Sequence, residues 1–184
     1  MVEGVATRIF VAVPLPDEVR MALADRLEPL DMPGKVVPPE NWHITLRFLG
    51  WTDDVAYDRM LAALDGADLG PPFNVRLGKM GAFPRPKSST VIWLAVTEGL
   101  SRLEELAASA EEAAHSAGFG PEDRPFRAHL TLSRVRPAED ASDLLDSFPG
   151  ADLGWRCGSV VVYRSHLGRG GARYEPLETF PLMR

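Results

Sequence analysis

Two tetrapeptides, His43-Ile-Thr-Leu46 and His129-Leu-Thr-Leu132, each carry an imidazole and a hydroxyl two residues apart. In a strand, side chains two apart share a face, so His43 and Thr45 project together while Ile44, Leu46 and Phe48 take the opposite face. The same parity joins His129 to Thr131 and leaves Leu130 and Leu132 for a core. Two imidazoles displayed across one cleft can act as a paired acid and base. Their ordinary pKa lies close to neutrality, and each positioned proton transfer contributes ~10²–10⁴-fold in rate. In-line displacement at phosphorus uses such a pair, because one oxygen enters and another departs on opposite sides and each exchanges a proton. The hydroxyls of Thr45 and Thr131 can donate to the non-bridging oxygens, and an arginine can offset the charge that grows on them. No carboxylate or thiol set completes a recognisable metal site around either motif, so neither metal nor cofactor is expected.

These motifs need strands to hold them, and the surrounding pattern supplies strands. Arg8 to Val13 is a β-branched and aromatic run, followed by helical spacing at Val19, Leu23, Leu27 and Leu30 behind Pro16-Asp17-Glu18, with Pro29 and Pro33 closing the helix. Pro38-Pro39-Glu40-Asn41 forms a rigid approach to a strand from Trp42 to Phe48 that Gly50 ends. The pattern then predicts a helix over Val55 to Leu64, a strand over Phe73 to Phe83 broken by Pro84 and Pro86, and a strand over Thr90 to Val96. A helix over Ser101 to Ala117 follows, with Ser101 and Glu104 spaced for a capping box and Gly118 placed to stop it. After a loop holding Pro121 and Pro125 comes a strand over Phe126 to Ser133. A short helix near Asp140 to Phe148 is next, and then Trp155 to Leu167 and Tyr174 to Leu182 form a hairpin around Gly168-Arg-Gly-Gly171.

The halves resemble one another. Ile9-Phe-Val-Ala-Val13 matches Ile92-Trp-Leu-Ala-Val96 in type, and each precedes an amphipathic helix, a proline-containing acidic loop and a His-x-Thr-Leu strand. An internal pseudo-two-fold repeat would turn the two His-x-Thr displays toward each other. Residues 1–184 are therefore read as one bilobal domain of α+β class, in which two antiparallel sheets flank a central cleft and helices cover the outer faces.

Composition narrows the functions open to such a cleft. Hydrophobic residues make up 45% and charged residues 25%, ordinary values for a globular chain. No apolar run reaches bilayer length and no leader is read at the N-terminus, so a cytoplasmic protein is expected, with no membrane partner. The net charge of −6 argues against coating long nucleic acid, which requires a broad basic surface, but leaves recognition of a single phosphate at an RNA end open. The lone cysteine, Cys157, is read as a small buried strand residue, and His115 and His166 as structural histidines without a threonine partner.

The chain resembles the 2H phosphoesterase superfamily, and within it the bacterial and archaeal RNA 2′,3′-cyclic phosphodiesterases, also called 2′-5′ RNA ligases. The likeness rests on both His-x-Thr-Leu motifs together with Arg8-Ile-Phe-Val-Ala12, Val37-Pro-Pro-Glu-Asn41, Leu46-Arg-Phe-Leu-Gly50, Gly81-Ala-Phe-Pro-Arg85, Arg124-Pro-Phe-Arg127 and Leu132-Ser-Arg134, and so spans nearly the whole sequence. It implies hydrolysis of an RNA 2′,3′-cyclic phosphate end to a 2′-phosphate, with RNA ends or cyclic nucleotides as partners and with reversible 2′-5′ joining. It also implies His43 as proton donor to the departing 3′ oxygen and His129 as the acceptor that activates water. For the phosphate-binding arginine the resemblance favours Arg134, whereas strand parity puts Arg127 and Ser133 on the His129 face; a bulge at Ser133 would reconcile them. Phe10 is open between a cleft residue that stacks on a base and a core residue. Two other functions fit the same motifs: a phosphodiesterase for small cyclic or 2′-5′-linked nucleotides, and an RNA-end binding module without turnover. Nothing demands a partner chain, and a monomer is expected.

Overall fold

Residues 6–183 are described by a computed structural model; the first five residues, part of the segment in which no leader is read, lie outside it. The order is β1 (Thr7–Pro14), α1 (Asp17–Leu27), β2 (Lys35–Val36), a 3-10 turn (Pro39–Asn41), β3 (His43–Thr52), α2 (Asp54–Asp65), β4 (Phe73–Arg85), β5 (Ser88–Glu98), α3 (Leu100–Ser116), β6 (His129–Glu139), α4 (Ser142–Ser147), β7 (Leu153–Cys157), β8 (Ser159–Gly168) and β9 (Gly171–Pro181). The strands follow one hydrogen-bonded path, β7-β4-β5-β6-β3-β1-β8-β9, with β2 pairing β6 off that path. Long antiparallel ladders run within β7-β4-β5-β6 and within β3-β1-β8-β9, but β3 and β6 meet through the single pair Ile44↔Leu130. The two expected sheets are thus two halves of one curled sheet. Only Gly158 separates β7 from β8, so the path must bend back on itself to bring those strands together.

The core lies on the leucine side of both motifs. Ile44, Leu46, Leu130 and Leu132 pack with Leu103, Leu106 and Ala110 of α3 and with Met60 and Leu64 of α2, and all of them are buried. Alanines at 107, 110, 113 and 114 are buried along α3 and let it lie close to the sheet, and α3 in turn contacts both α2 and β3. Cys157 is buried in β7, and burial pushes its thiol up to about 11, which leaves it an inert packing residue.

Several boundaries depart from the pattern-based expectation. α1 stops at Leu27 rather than Leu30, because Pro29 has no N–H to continue the ladder. The Ser101/Glu104 capping box does not form: α3 starts at Leu100 behind Gly99, whose φ of 88° and close approach to the Asn74 carbonyl admit no side chain, and Ser101 is already inside the first turn. β3 runs past Gly50 to Thr52, and β4 runs past Pro84 to Arg85. β6 begins at His129, not Phe126, and extends to Glu139 because β5 is long enough to pair with it as far as Ser89. Trp155 to Leu167 is not one strand. Gly158 divides it, β7 joins β4, and only β8 forms the expected hairpin with β9 about Arg169-Gly170.

A short edge strand that the pattern does not reveal holds the second motif in place. β2 lies along β6, pairing Lys35↔Arg134, and Gly34 just before it has φ 80°. A Cβ at Gly34 would stand 2.5 Å from the Arg134 carbonyl oxygen and 2.8 Å from Val135 Cα. Gly34→Ala is therefore expected to cost at least about 2 kcal/mol, from left-handed strain and backbone contact together. A thermal melt checks this, and an unchanged midpoint would contradict the close approach.

Candidate active site

Matching irregularities in the strands decide which residues reach the cleft. Along β1 and β3 the partners step from Val11↔Arg47 to Ala12↔Thr45, which leaves Leu46 as an extra residue. Along β5 and β6 they step from Ile92↔Ser133 to Trp93↔Thr131, which leaves Leu132 extra. The strand registers thus align Val11 with Ile92, so the sequence match of Ile9–Val13 with Ile92–Val96 is displaced by two residues, a shift that preserves the face. At each bulge two consecutive side chains turn inward: Leu46 with Arg47 (8% exposed), and Leu132 with Ser133 (0%). The following residues, Phe48 and Arg134, then face the cleft. Simple alternation fails at both places, since Phe48 lies on the histidine side and Ser133 does not.

The inward polar residues are anchored. Arg47 ion-pairs with Glu111 (2.5 Å) and Glu122 (2.8 Å) and donates to the Gly120 carbonyl (2.7 Å), tying β3 to α3 and the loop after it. The Ser133 hydroxyl donates to the Pro33 carbonyl at 2.5 Å, which ties β6 to the segment before Gly34.

The two histidines are held alike. His43 Nδ1 lies 2.7 Å from the Asn41 carbonyl, and His129 Nδ1 lies 2.6 Å from the Arg127 carbonyl, in each case two residues upstream. A carbonyl only accepts, so both Nδ1 atoms carry the hydrogen and both Nε2 atoms hold the lone pair when the ring is neutral. The Thr45 hydroxyl donates to His43 Nε2 at 2.9 Å. Phe10 (4.8 Å between centroids) and Tyr174 (5.3 Å, edge-on) pack the His43 ring; Phe83 (5.4 Å) and Trp93 (6.2 Å) pack that of His129, both edge-on. Phe10 is buried in the core and stacks on Tyr163, and it also lines the hollow that contains His43.

Antiparallel register about Ile44↔Leu130 places His43 across from Thr131 and Thr45 across from His129. The histidines therefore occupy one diagonal and the threonines the other, and such diagonal neighbours lie ~7–8 Å apart, more where strands splay. Two hollows meet over this quadrilateral. One, of about 390 Å³, contains His43 with Arg8, Phe10, Asn41 and Tyr174; the other, of about 840 Å³, contains His129 with Phe83, Arg127 and the inner side of α3. Thr45, Phe48, Thr131 and Arg134 line both. Arg134 is exposed to the cleft, and among the described residues no carboxylate pairs with it. Arg127 is exposed and lines the larger hollow but not the smaller one, and its main-chain carbonyl orients His129.

Burial holds both rings neutral. It lowers His43 to about 4, against the opposing effect of the bond to Asn41 and with help from the nearby charges of His129 and Arg134. It lowers His129 also, opposed by the bond to Arg127 and aided by Arg134. Because the folded-state value of His43 lies below the unfolded 6.5, the unfolded chain takes up more protons between those values. Stability is present above pH 6.5 and is lost as pH falls toward 4, by up to about 3 kcal/mol from this residue, with His129 acting in the same direction. His43→Asn is expected to narrow its stability gap to the unmodified protein, or reverse it, as pH drops through that window. Denaturation curves at pH 7 and 4.5 that shift in parallel for the two proteins would refute it.

The sequence pattern misses Asn41, Phe48 and Tyr174 as cleft residues. Asn41 is buried and donates from its side chain to the Ala172 carbonyl in β9 (2.7 Å), which steadies the carbonyl that orients His43. Its place two residues before the motif histidine is a usable signal, whereas Tyr174 reaches the site only through the β8–β9 hairpin. His115 is exposed on α3, and His166 bonds Glu175 at 2.5 Å; neither lines the two hollows. Among the described residues no three of His, Cys, Asp and Glu converge as a metal-ligand set, and no helix is long and apolar enough to cross a membrane.

Comparison with known proteins completes the picture. The family model described as LigT like phosphoesterase matches this chain twice, over residues 13–93 and 94–174. An RNA 2′,3′-cyclic phosphodiesterase of Archaeoglobus fulgidus is 36% identical over 80% of this chain and 84% of its own. One from Escherichia coli is 31% identical over 95% of this chain and 96% of its own. The crystal structure of E. coli LigT complexed with 3′-AMP superposes with a TM-score of 0.84 at 28% identity, covering 97% of this chain and 99% of that one.

Proposed function

This chain belongs to the LigT-like phosphoesterases of the 2H phosphoesterase superfamily, and from that premise we propose that it opens the 2′,3′-cyclic phosphate at an RNA end to a 2′-phosphate. The observation that carries the reading is the matched pair of imidazoles, each with Nδ1 held by a carbonyl two residues upstream, on one diagonal of a cleft that Arg134, Thr45 and Thr131 complete.

The phosphate sits over the threonine diagonal, its non-bridging oxygens taking hydrogen bonds from the two hydroxyls and charge from Arg134. Water on the His129 side loses a proton to Nε2 as its oxygen bonds to phosphorus. The P–O3′ bond breaks on the opposite side, and O3′ takes a proton from His43 Nε2. His129 is ready for its part, being neutral in the empty cleft. His43 is not: with a value of about 4, only about one ring in a thousand carries a proton at pH 7. The substrate's own charge supplies the correction, since an anion within ~4–6 Å raises a histidine by ~1–3 pH units. The acid is thus made by binding, and kcat/KM is expected to fall off at lower pH than kcat does.

The direct test is product analysis on an RNA ending in a 2′,3′-cyclic phosphate. A 2′-phosphate end, formed at an undiminished rate in the presence of chelators, is expected. A 3′-phosphate would reverse the direction of displacement, and a need for added divalent ion would overturn the two-histidine chemistry. The hollow beside His43 is sized for about one nucleoside, which favours cyclic mononucleotides and 2′-5′-linked dinucleotides as further substrates of the same site. Turnover of these alone, with RNA ends untouched, would replace the RNA reading; binding of RNA ends without turnover would make the chain a recognition module. We read the enzyme as a cytoplasmic monomer, because the two histidines, the two threonines and Arg134 meet within one chain.

A further inference from the structure

The hollow beside His43, about 390 Å³, has room for about one nucleoside, so the rest of an RNA strand must leave it across its rim. On one side the way is narrowed. The Lys35 amine of β2 lies against the turn of the β8–β9 hairpin, where a Cβ on Gly171 would stand 3.0 Å from Nζ, and β2 offers no aromatic ring. On the other side, along β1 and β3, a second slip in the ladder between Ile9↔Gly50 and Phe10↔Phe48 leaves Leu49 extra. The slip returns Trp51 to the cleft side, directly opposite Arg8, which lines the hollow. Trp51 is 68% exposed and Phe48 41%, and the Arg8 guanidinium lies over the Phe48 ring, 5.0 Å from its centroid. Among the described residues no carboxylate pairs with Arg8. Large rings left in water beside a cation, at the edge of a hollow for a nucleoside, are the elements of a single-stranded nucleic-acid platform: rings stack on bases and the cation meets a phosphate. Just past Trp51, Asp53 and Asp54 at the start of α2 repel a phosphate, so an uncharged base suits Trp51 and the phosphate stays beside Arg8.

We propose that Trp51, with Arg8 and Phe48, forms a subsite for the nucleotide that precedes the cyclic-phosphate end, with its base stacked on Trp51 and its linking phosphate beside Arg8. The protein thereby selects RNA ends over free cyclic nucleotides. The inference rests on the hydrolysis proposed above and adds which part of the strand is read. Stacking accepts every base, so the subsite measures the presence of a preceding nucleotide rather than its identity.

The experiment measures kcat/KM of the full chain for a nucleoside 2′,3′-cyclic phosphate and for a dinucleotide ending in the same cyclic phosphate. The unmodified protein is expected to favour the dinucleotide about tenfold or more, the usual effect of one stacked base. Trp51→Ala is expected to remove most of that preference by raising KM for the dinucleotide, while turnover of the mononucleotide, which does not reach Trp51, stays within about twofold and shows that the variant is folded. Trp51→Phe keeps an aromatic face and is expected to retain most of the preference, and Lys35→Met to leave it whole. An equal preference in the unmodified protein and Trp51→Ala would overturn the inference, as would equal losses on both substrates, which would make Trp51 a structural residue. Loss of the preference in Lys35→Met but not in Trp51→Ala would also overturn it, by sending the strand over β2. Turnover of neither substrate by the unmodified protein would instead overturn the function on which the inference rests.

Discussion

Replacing His129 with Ala is expected to lower kcat on a cyclic-phosphate end by ~10²–10⁴-fold with little change in KM, and replacing His43 with Ala to do the same. The doubly substituted protein should be scarcely slower than either single variant, because the two rings act on one displacement and the loss of one leaves the other without a task. The variants differ in their pH profiles. A base must be unprotonated to act, so His129→Ala is expected to abolish the limb on which rate rises with pH. An acid must be protonated, so His43→Ala is expected to abolish the limb on which rate falls. Steady-state kinetics from pH 4 to 9 read both outcomes. Loss of the opposite limbs would exchange the roles of the two residues, and a loss of less than tenfold in either variant would end the paired mechanism. Thermal melting at pH 7 shows whether each variant is folded.

The second large effect is expected at Arg134. Methionine there keeps much of the side-chain length but removes the charge and the forked donors, and kcat is expected to fall by ~10²–10³-fold, the usual loss when a preorganised donor to developing phosphate charge is removed. Lysine should restore only part of it, because a point charge cannot offer two parallel hydrogen bonds. Arg127→Met, by contrast, leaves the main-chain carbonyl that orients His129 untouched and is expected to cost less than about fivefold in hydrolysis. Equal losses at both positions would mean that the bulge at Leu132 does not select the phosphate ligand. Such a result would reopen the choice that strand parity alone leaves between them.

The contrast between Arg134 and Arg127 shows where reading by pattern stops. Period-two alternation correctly pairs His43 with Thr45 and His129 with Thr131, because those residues lie before the irregularity in each strand. It fails beyond the extra residue of each bulge, at Phe48 and Ser133, because a bulge is a matter of two strands differing in length along one ladder and has no mark in either strand alone. The same limit hides β2: a dipeptide, Lys35-Val36, carries no periodicity, and it becomes a strand only because β6 offers an edge beside it. The Trp155 to Leu167 run shows it again. Most of its residues are good strand formers, and it divides at Gly158 because β7 pairs with β4 whereas β8 pairs with β1.

The amino-acid order by itself determined the candidates for the chemistry: two imidazoles, the hydroxyls that share their faces, and the apolar residues on the other parity that bury the strands beneath. These follow from residue type and from a two-residue spacing that any extended backbone obeys. The folded chain alone decided which arginine lines both hollows, that burial holds each imidazole neutral, and that two unequal hollows meet over the two motifs. Those properties depend on contacts between segments far apart along the chain, such as β3 with β6, α3 with β3 and β9 with Asn41, and on the water those contacts exclude. Desolvation and register are properties of neighbours in space, and no local stretch of sequence contains them.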